Sequence, residues 1–139
     1  MAATMTVDVV SPERVLFSGE ANMVITRTLE GGEIAFQAGH SPFLAALVEN
    51  HTRIYLENGT IQDVAVHRGF VEVSDNKVSI LSDVAELAED IDVSRAREAL
   101  ERHERTLRDE KVEAELADAV AGRARAQARL AATGTSFTA

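Results

Sequence analysis

Ala88-Glu89-Asp90-Ile91-Asp92-Val93-Ser94-Arg95-Ala96 is the stretch at which this chain changes texture. Up to Asp92 the residues read as short alternating strands separated by tight turns. From Val93 to Ala132 there is no proline and one glycine, and alanine, arginine and glutamate dominate, all good helix formers. The boundary predicts a compact β body carrying a helical tail. A body of about 90 residues can bury a core and fold alone, whereas the tail, residues 93–139, is too short to do so. Such a build fits one part of a larger machine better than a self-contained enzyme.

Upstream of the boundary the strand signals repeat. Val7 and Val9, then Val15-Leu16-Phe17, flank Ser11-Pro12-Glu13, a turn in which the proline fixes φ. Ala21 to Leu29 alternates in part, with Met23, Ile25 and Leu29 expected to point inward. Glu30-Gly31-Gly32 breaks that run before Ile34-Ala35-Phe36, and Gly39-His40-Ser41-Pro42 turns into the apolar Phe43-Leu44-Ala45-Ala46-Leu47. Thr52 to Glu57 and Ile61 to Val66 both alternate around Asn58-Gly59, the favoured pair for a two-residue hairpin turn. Phe70–Val73 and Val78–Leu81 form a second hairpin around Asp75-Asn76. Many short strands at this spacing predict an antiparallel β-sandwich or flattened barrel.

Downstream, two helices are expected. Val93, Ala96, Leu100, His103 and Leu107 make one narrow stripe on the first. Glu98–Arg102, Glu101–Arg105 and Glu104–Arg108 are spaced to pair across its turns. The second has only Val112, Leu116, Val120 and Leu130 as large apolar residues, with alanine at nine other positions up to Ala132. Its acidic Glu113, Glu115 and Asp118 come early and its basic Arg123, Arg125 and Arg129 late, the polarity a helix dipole favours. Burying a leucine contributes about 1.5–3 kcal/mol and an alanine far less, so docking of this tail is expected to be marginal. The predicted organisation is a sandwich over 1–85, a connector over 86–91, an antiparallel two-helix hairpin over 92–133 and a frayed end over 134–139.

Composition removes several function classes. With no cysteine there is no disulfide, thiolate metal site or cysteine nucleophile. No stretch approaches the roughly 18 apolar residues needed to span a bilayer, so a soluble chain without membrane insertion is expected. Residues 1–92 carry a formal charge of −10 and residues 93–139 of +1. An acidic body without a basic stripe argues against nucleic acid as a partner. The asymmetry also lets a nearly neutral tail lie on the body or leave it at little Coulomb cost.

With these elements in place, the sequence resembles the epsilon subunits of bacterial F-type ATP synthases (delta in mitochondria). The resemblance runs through Ser11-Pro12-Glu13-Arg14-Val15-Leu16-Phe17-Ser18-Gly19-Glu20 and Gly39-His40-Ser41-Pro42-Phe43-Leu44. It continues in Gly69-Phe70-Val71-Glu72-Val73 and in Ala88-Glu89-Asp90-Ile91-Asp92 leading into Arg95-Ala96. It departs at Gln37-Ala38, where the family usually has an aliphatic residue and proline, and at Arg68, where small residues are common. The resemblance implies a non-catalytic rotor subunit at the cytoplasmic face of the bacterial plasma membrane, with no required cofactor. Its sandwich would bind the gamma subunit and the membrane-embedded proton-carrying ring. Its hairpin would fold on the sandwich or extend towards the catalytic alpha/beta hexamer, restraining ATP hydrolysis.

Candidate sites have bland counterparts. Gly31-Gly32 lacks the lysine and following helix of a phosphate loop and reads as a sheet turn. His40, His51, His67 and His103 have no metal-ligand spacing. Asp90, Asp92, Ser94 and Glu101 match places in a calcium loop, but Arg95 stands where that loop needs glycine. Asp92 is positioned as a helix N-cap. Some relatives bind ATP on the folded hairpin through a motif resembling Ile91-Asp92-Val93-Ser94-Arg95-Ala96, which implies a regulatory ATP site here. Glu86 or Asp92 would accept from the adenine amino group, beside Ile91 and Ala96, and Arg95, Arg125 and Arg129 would pair with phosphates. Besides the rotor subunit, two other functions stay open at this point: a free-standing β-sandwich adaptor or chaperone-like module with a partner-binding tail, and an enzyme. For the enzyme, no nucleophile, base and orienting group can be assembled.

Overall fold

The computed structural model describes residues 3–135. Nine strands precede two helices. They are β1 (Met5–Val10), β2 (Val15–Thr28), β3 (Gly32–Gln37), β4 (Phe43–Leu47), β5 (Asn50–Leu56), β6 (Ile61–His67), β7 (Gly69–Ser74), β8 (Lys77–Leu81) and β9 (Val84–Leu87). A 3-10 turn over Ala88–Asp90 leads to α1 (Val93–Asp109) and α2 (Glu113–Ala132).

β2 is long enough to serve both layers of the sandwich. Its first half pairs with β1, and its second half with β3 and β5. Pairing is antiparallel throughout except between β1 and β8, which run parallel. Between the layers lie Met5, Val7, Val9, Val24, Phe36, Ile54, Val64, Val66, Val71, Val78 and Ile80, all essentially sealed from solvent. Thr26, Thr52 and Asn50 add a closed polar network, with the two hydroxyls 2.8 Å apart and Thr52 donating to Asn50 Oδ1 at 2.7 Å.

Three local expectations are corrected. Met23 and Ile25 are only half-buried and Leu29 is exposed, whereas Ala21, Val24, Thr26 and Thr28 face inward. The cause is a bulge: two residues of β2, Ala21 to Met23, span one step of β5, Leu56 to Tyr55. The extra residue inverts the alternation. In the β5–β6 hairpin the turn is Leu56–Gly59, closed by Gly59 N–H donating to Leu56 O at 3.1 Å. Only Gly59 takes a positive φ there (+88°), so a three-residue loop with a glycine bulge replaces the two-residue turn. Asp75 and Asn76 do form the two-residue turn, both left-handed. Finally, Glu86 and Leu87, the first residues of the expected connector, belong to a strand, β9, paired with β6.

Asp92 caps α1, its Oδ1 accepting from Arg95 N–H at 3.0 Å. The three spaced pairs Glu98–Arg102, Glu101–Arg105 and Glu104–Arg108 do not close: the ion pairs among the described residues lie elsewhere, and none joins two residues of α1. Five of these six residues are exposed and Glu104 is half-buried, and exposed pairs of this kind are commonly too weak to hold a fixed geometry. Gly134 was expected to begin a frayed end. Instead, at φ +73° it closes α2 in a Schellman arrangement, with Gly134 N–H bonded to Ala131 O and Thr135 N–H to Leu130 O. Residues 136–139 of that expected end lie outside the described residues.

Candidate functional site

α2 is the middle layer, packed on α1 on one side and on β5 and β6 on the other. Its burial follows from small residues. Ala119, Gly122, Ala126, Ala128 and Ala132 are buried with a single large side chain, Leu130. Ala126 and Leu130 meet Ala96 and Leu100 of α1 in the hairpin seam. Val112 and Val120, two of the four large apolar residues expected to matter, remain about half exposed. Cover from α2 explains why β6 is buried on both faces at its end, where Ala65 and His67 turn away from the sandwich core.

One polar junction fastens this layer. Glu86 of β9 accepts from Arg129 Nε of α2 at 2.6 Å and from His67 Nε2 of β6 at 2.8 Å, both on Oε1. The ring nitrogen opposite, His67 Nδ1, is buried without a partner. The His67 hydrogen bond and then the Arg129 cation hold the Glu86 carboxyl down at about 2, against the opposing pull of burial. Glu86, read from sequence as an adenine acceptor, therefore serves in this conformation to dock α2.

Beside the junction opens a cleft of about 580 Å³ between the connector and the two helices. Its wall contains every residue proposed from sequence: Glu86, Ile91, Asp92, Arg95, Ala96, Arg125 and Arg129. Arg129 is committed to Glu86, while Arg95 and Arg125 form no ion pair among the described residues. Arg102, His103 and Gly122 also line the cleft and were not assigned to it from sequence. Arg102 carried a legible signal, since it stands seven residues after Arg95 and so shares its helix face. His103 was read only as part of the apolar stripe. Unpaired guanidinium groups converging on one cleft offer planar donors suited to phosphate oxygens. Among the described residues no group of three or more His, Asp or Glu side chains is placed to hold a metal ion. No helix there is long and apolar enough to cross a membrane.

Two family models meet between residues 88 and 89, inside the expected connector. "ATP synthase, Delta/Epsilon chain, beta-sandwich domain" matches residues 4–88, and "ATP synthase, Delta/Epsilon chain, long alpha-helix domain" matches residues 89–134. The chain belongs to the ATP synthase delta/epsilon family. Relatives named ATP synthase epsilon chain include that of Symbiobacterium thermophilum, 41% identical over 95% of this chain and 94% of its own length. The Brevibacillus brevis protein is 48% identical over 74% of this chain and 77% of its own. The Thermobifida fusca protein is 50% identical over 71% and 74%. In fold, the chain superposes on one from the Euglena gracilis mitochondrial ATP synthase structure (OSCP/F1/c-ring, rotational state 1), with a TM-score of 0.82 and 23% identity. That match covers 94% of this chain and 81% of the other. Membership of the delta/epsilon family makes this an epsilon-type, non-catalytic subunit of an ATP synthase and removes both the enzyme and the free-standing adaptor.

Proposed function

We propose that this subunit belongs to the central stalk, where its sandwich binds the gamma subunit and rests on the proton-carrying ring at the cytoplasmic face of the membrane. It turns with both and couples proton flow to ATP synthesis. Its hairpin is the regulatory part, docked as here or extended towards the alpha/beta hexamer, where it restrains hydrolysis. The observation that carries this is the way α2 is held: alanines, one glycine, one leucine and, among the described residues, a single ion pair to the sandwich, Glu86–Arg129. Little apolar area is lost when such a helix departs, so the docked and extended states differ by a small free energy.

The cleft is the second part of the proposal. ATP binds there, with Ile91, Asp92 and Ala96 around the adenine and Arg95, Arg102 and Arg125 on the phosphates, while Arg129 keeps Glu86. It bridges both helices and the connector, so it stabilises the docked hairpin, and only to the extent that it binds that state better than the extended one. Falling ATP then frees the helices. Co-purification with the gamma subunit tests the first part: the chain cut after Ile91 should still capture gamma, and failure of the full chain to do so overturns it. Calorimetry with millimolar ATP, with and without magnesium, tests the second. Arg125→Ala should weaken binding by about 1.5–3 kcal/mol, and no heat of binding in either condition leaves Asp92 as a helix cap only.

A further inference from the structure

Gly122 is the one glycine between Val93 and Ala132, and it is buried. The space its side chain would fill belongs to the His103 ring of α1: a Cβ on Gly122 would collide with Nε2 and Cε1 and stand 2.8 Å from Cδ2. The ring is thus seated in the hairpin and faces the cleft. The ring lines the cleft, and neither of its nitrogens is among the sealed, unpartnered polar atoms. The charged groups sharing that cleft are Glu98 and Arg102 on α1, Arg125 and Arg129 on α2, Arg95 and Asp92 at the start of α1, Asp90 in the connector and Glu86 on β9. Of these, Glu86 and Arg129 neutralise each other, and Asp92 is engaged as the cap.

We propose that His103 is a further binding residue of this cleft, taking up a proton as a polyphosphate settles against Arg102 and Arg125. The proposal rests on the nucleotide assignment above and adds a regulation to it. Burial first and then the Arg102 and Arg125 cations push the His103 ring below its ordinary range. Phosphates that neutralise those two cations reverse their effect and add a negative partner. The ring then charges, and binding is coupled to proton uptake: the same ligand is held more tightly at lower pH. A hydrophobic side chain at position 103 would have filled the space over Gly122 without this coupling.

The test follows the His103 ring resonances of the full chain against pH, alone, with ATP and with inorganic triphosphate. The midpoint should move upward by about one unit with either ligand, equivalent to roughly tenfold tighter binding below both midpoints than above them. Phosphate itself ionises near pH 6, so affinities measured in parallel on His103→Gln give the ligand's own contribution, which the native chain should exceed. If triphosphate shifts the ring and ATP does not bind, His103 keeps this role and the adenine assignment falls. If ATP binds with the midpoint unmoved, the role of His103 is overturned and the nucleotide site stands. If neither ligand binds at any pH, both are overturned.

Discussion

Gly122 and His103 show how one residue decides whether two helices meet. Gly122→Ala places a methyl group inside the imidazole's volume, and overpacking of this kind costs about 1–3 kcal/mol. Amide exchange in α1 and α2 should accelerate accordingly, and His103→Ala in the same chain should restore much of the protection. At the other fastening, Glu86→Gln should loosen α2 by about 1–2 kcal/mol, between the small value of exposed ion pairs and the larger one of buried pairs. Replacing Asp92 by alanine should cost α1 about 1 kcal/mol through its lost cap. At this scale much of the cleft was legible in sequence. Arg125 and Arg129, four apart, share a face of α2, Arg95 stands in the stretch that resembles the family's nucleotide motif, and Asp92 precedes the first periodic apolar residue. The Glu86–His67–Arg129 junction was not, because it joins β9, β6 and α2, elements far apart along the chain, and periodicity speaks only within one element.

Among the elements, α2 depends on partners on two sides and α1 on one. The pH dependence of docking follows from two groups with opposite chemistry. His103 has its folded-state pKa depressed, so the unfolded or undocked chain binds more protons and docking weakens as pH falls below about 6.5. Glu86 is also depressed, to about 2; its contribution is complete above its ordinary value of 4.5 and is lost as pH falls from there towards about 2. Exchange of α2 amides should therefore rise in two steps on acidification, the first absent in His103→Gln. The chain cut after Ile91 should keep all nine strands, since its core lies between the layers, but it should newly expose Ala65 and His67. Loss of dispersed amide resonances in that fragment would contradict the two-part build. The isolated tail, 93–139, should be only partly helical, because its seam is thin. The hairpins were legible from alternation and turn residues. The inward face of β2 was not, since a bulge at Asn22 inverts it, and four residues of β9 were too few to show a period.

For the whole molecule, the acidic body and nearly neutral tail make separation cheap in Coulomb terms, and the small-residue packing of α2 makes it cheap in apolar area. What holds the tail down is the Glu86–Arg129 pair, the packing of α2 on β5 and β6 and, as proposed, a nucleotide in the arginine cleft. Each can be altered with the sandwich core left intact, as the regulatory role proposed for the hairpin requires. The most direct measurement compares ATP hydrolysis by membranes whose synthase carries the full chain with that by membranes carrying the chain cut after Ile91. Hydrolysis should be faster in the truncated case, with synthesis changed less. Equal hydrolysis rates in fully assembled complexes would contradict it, leaving the hairpin a docked appendage without a regulatory role.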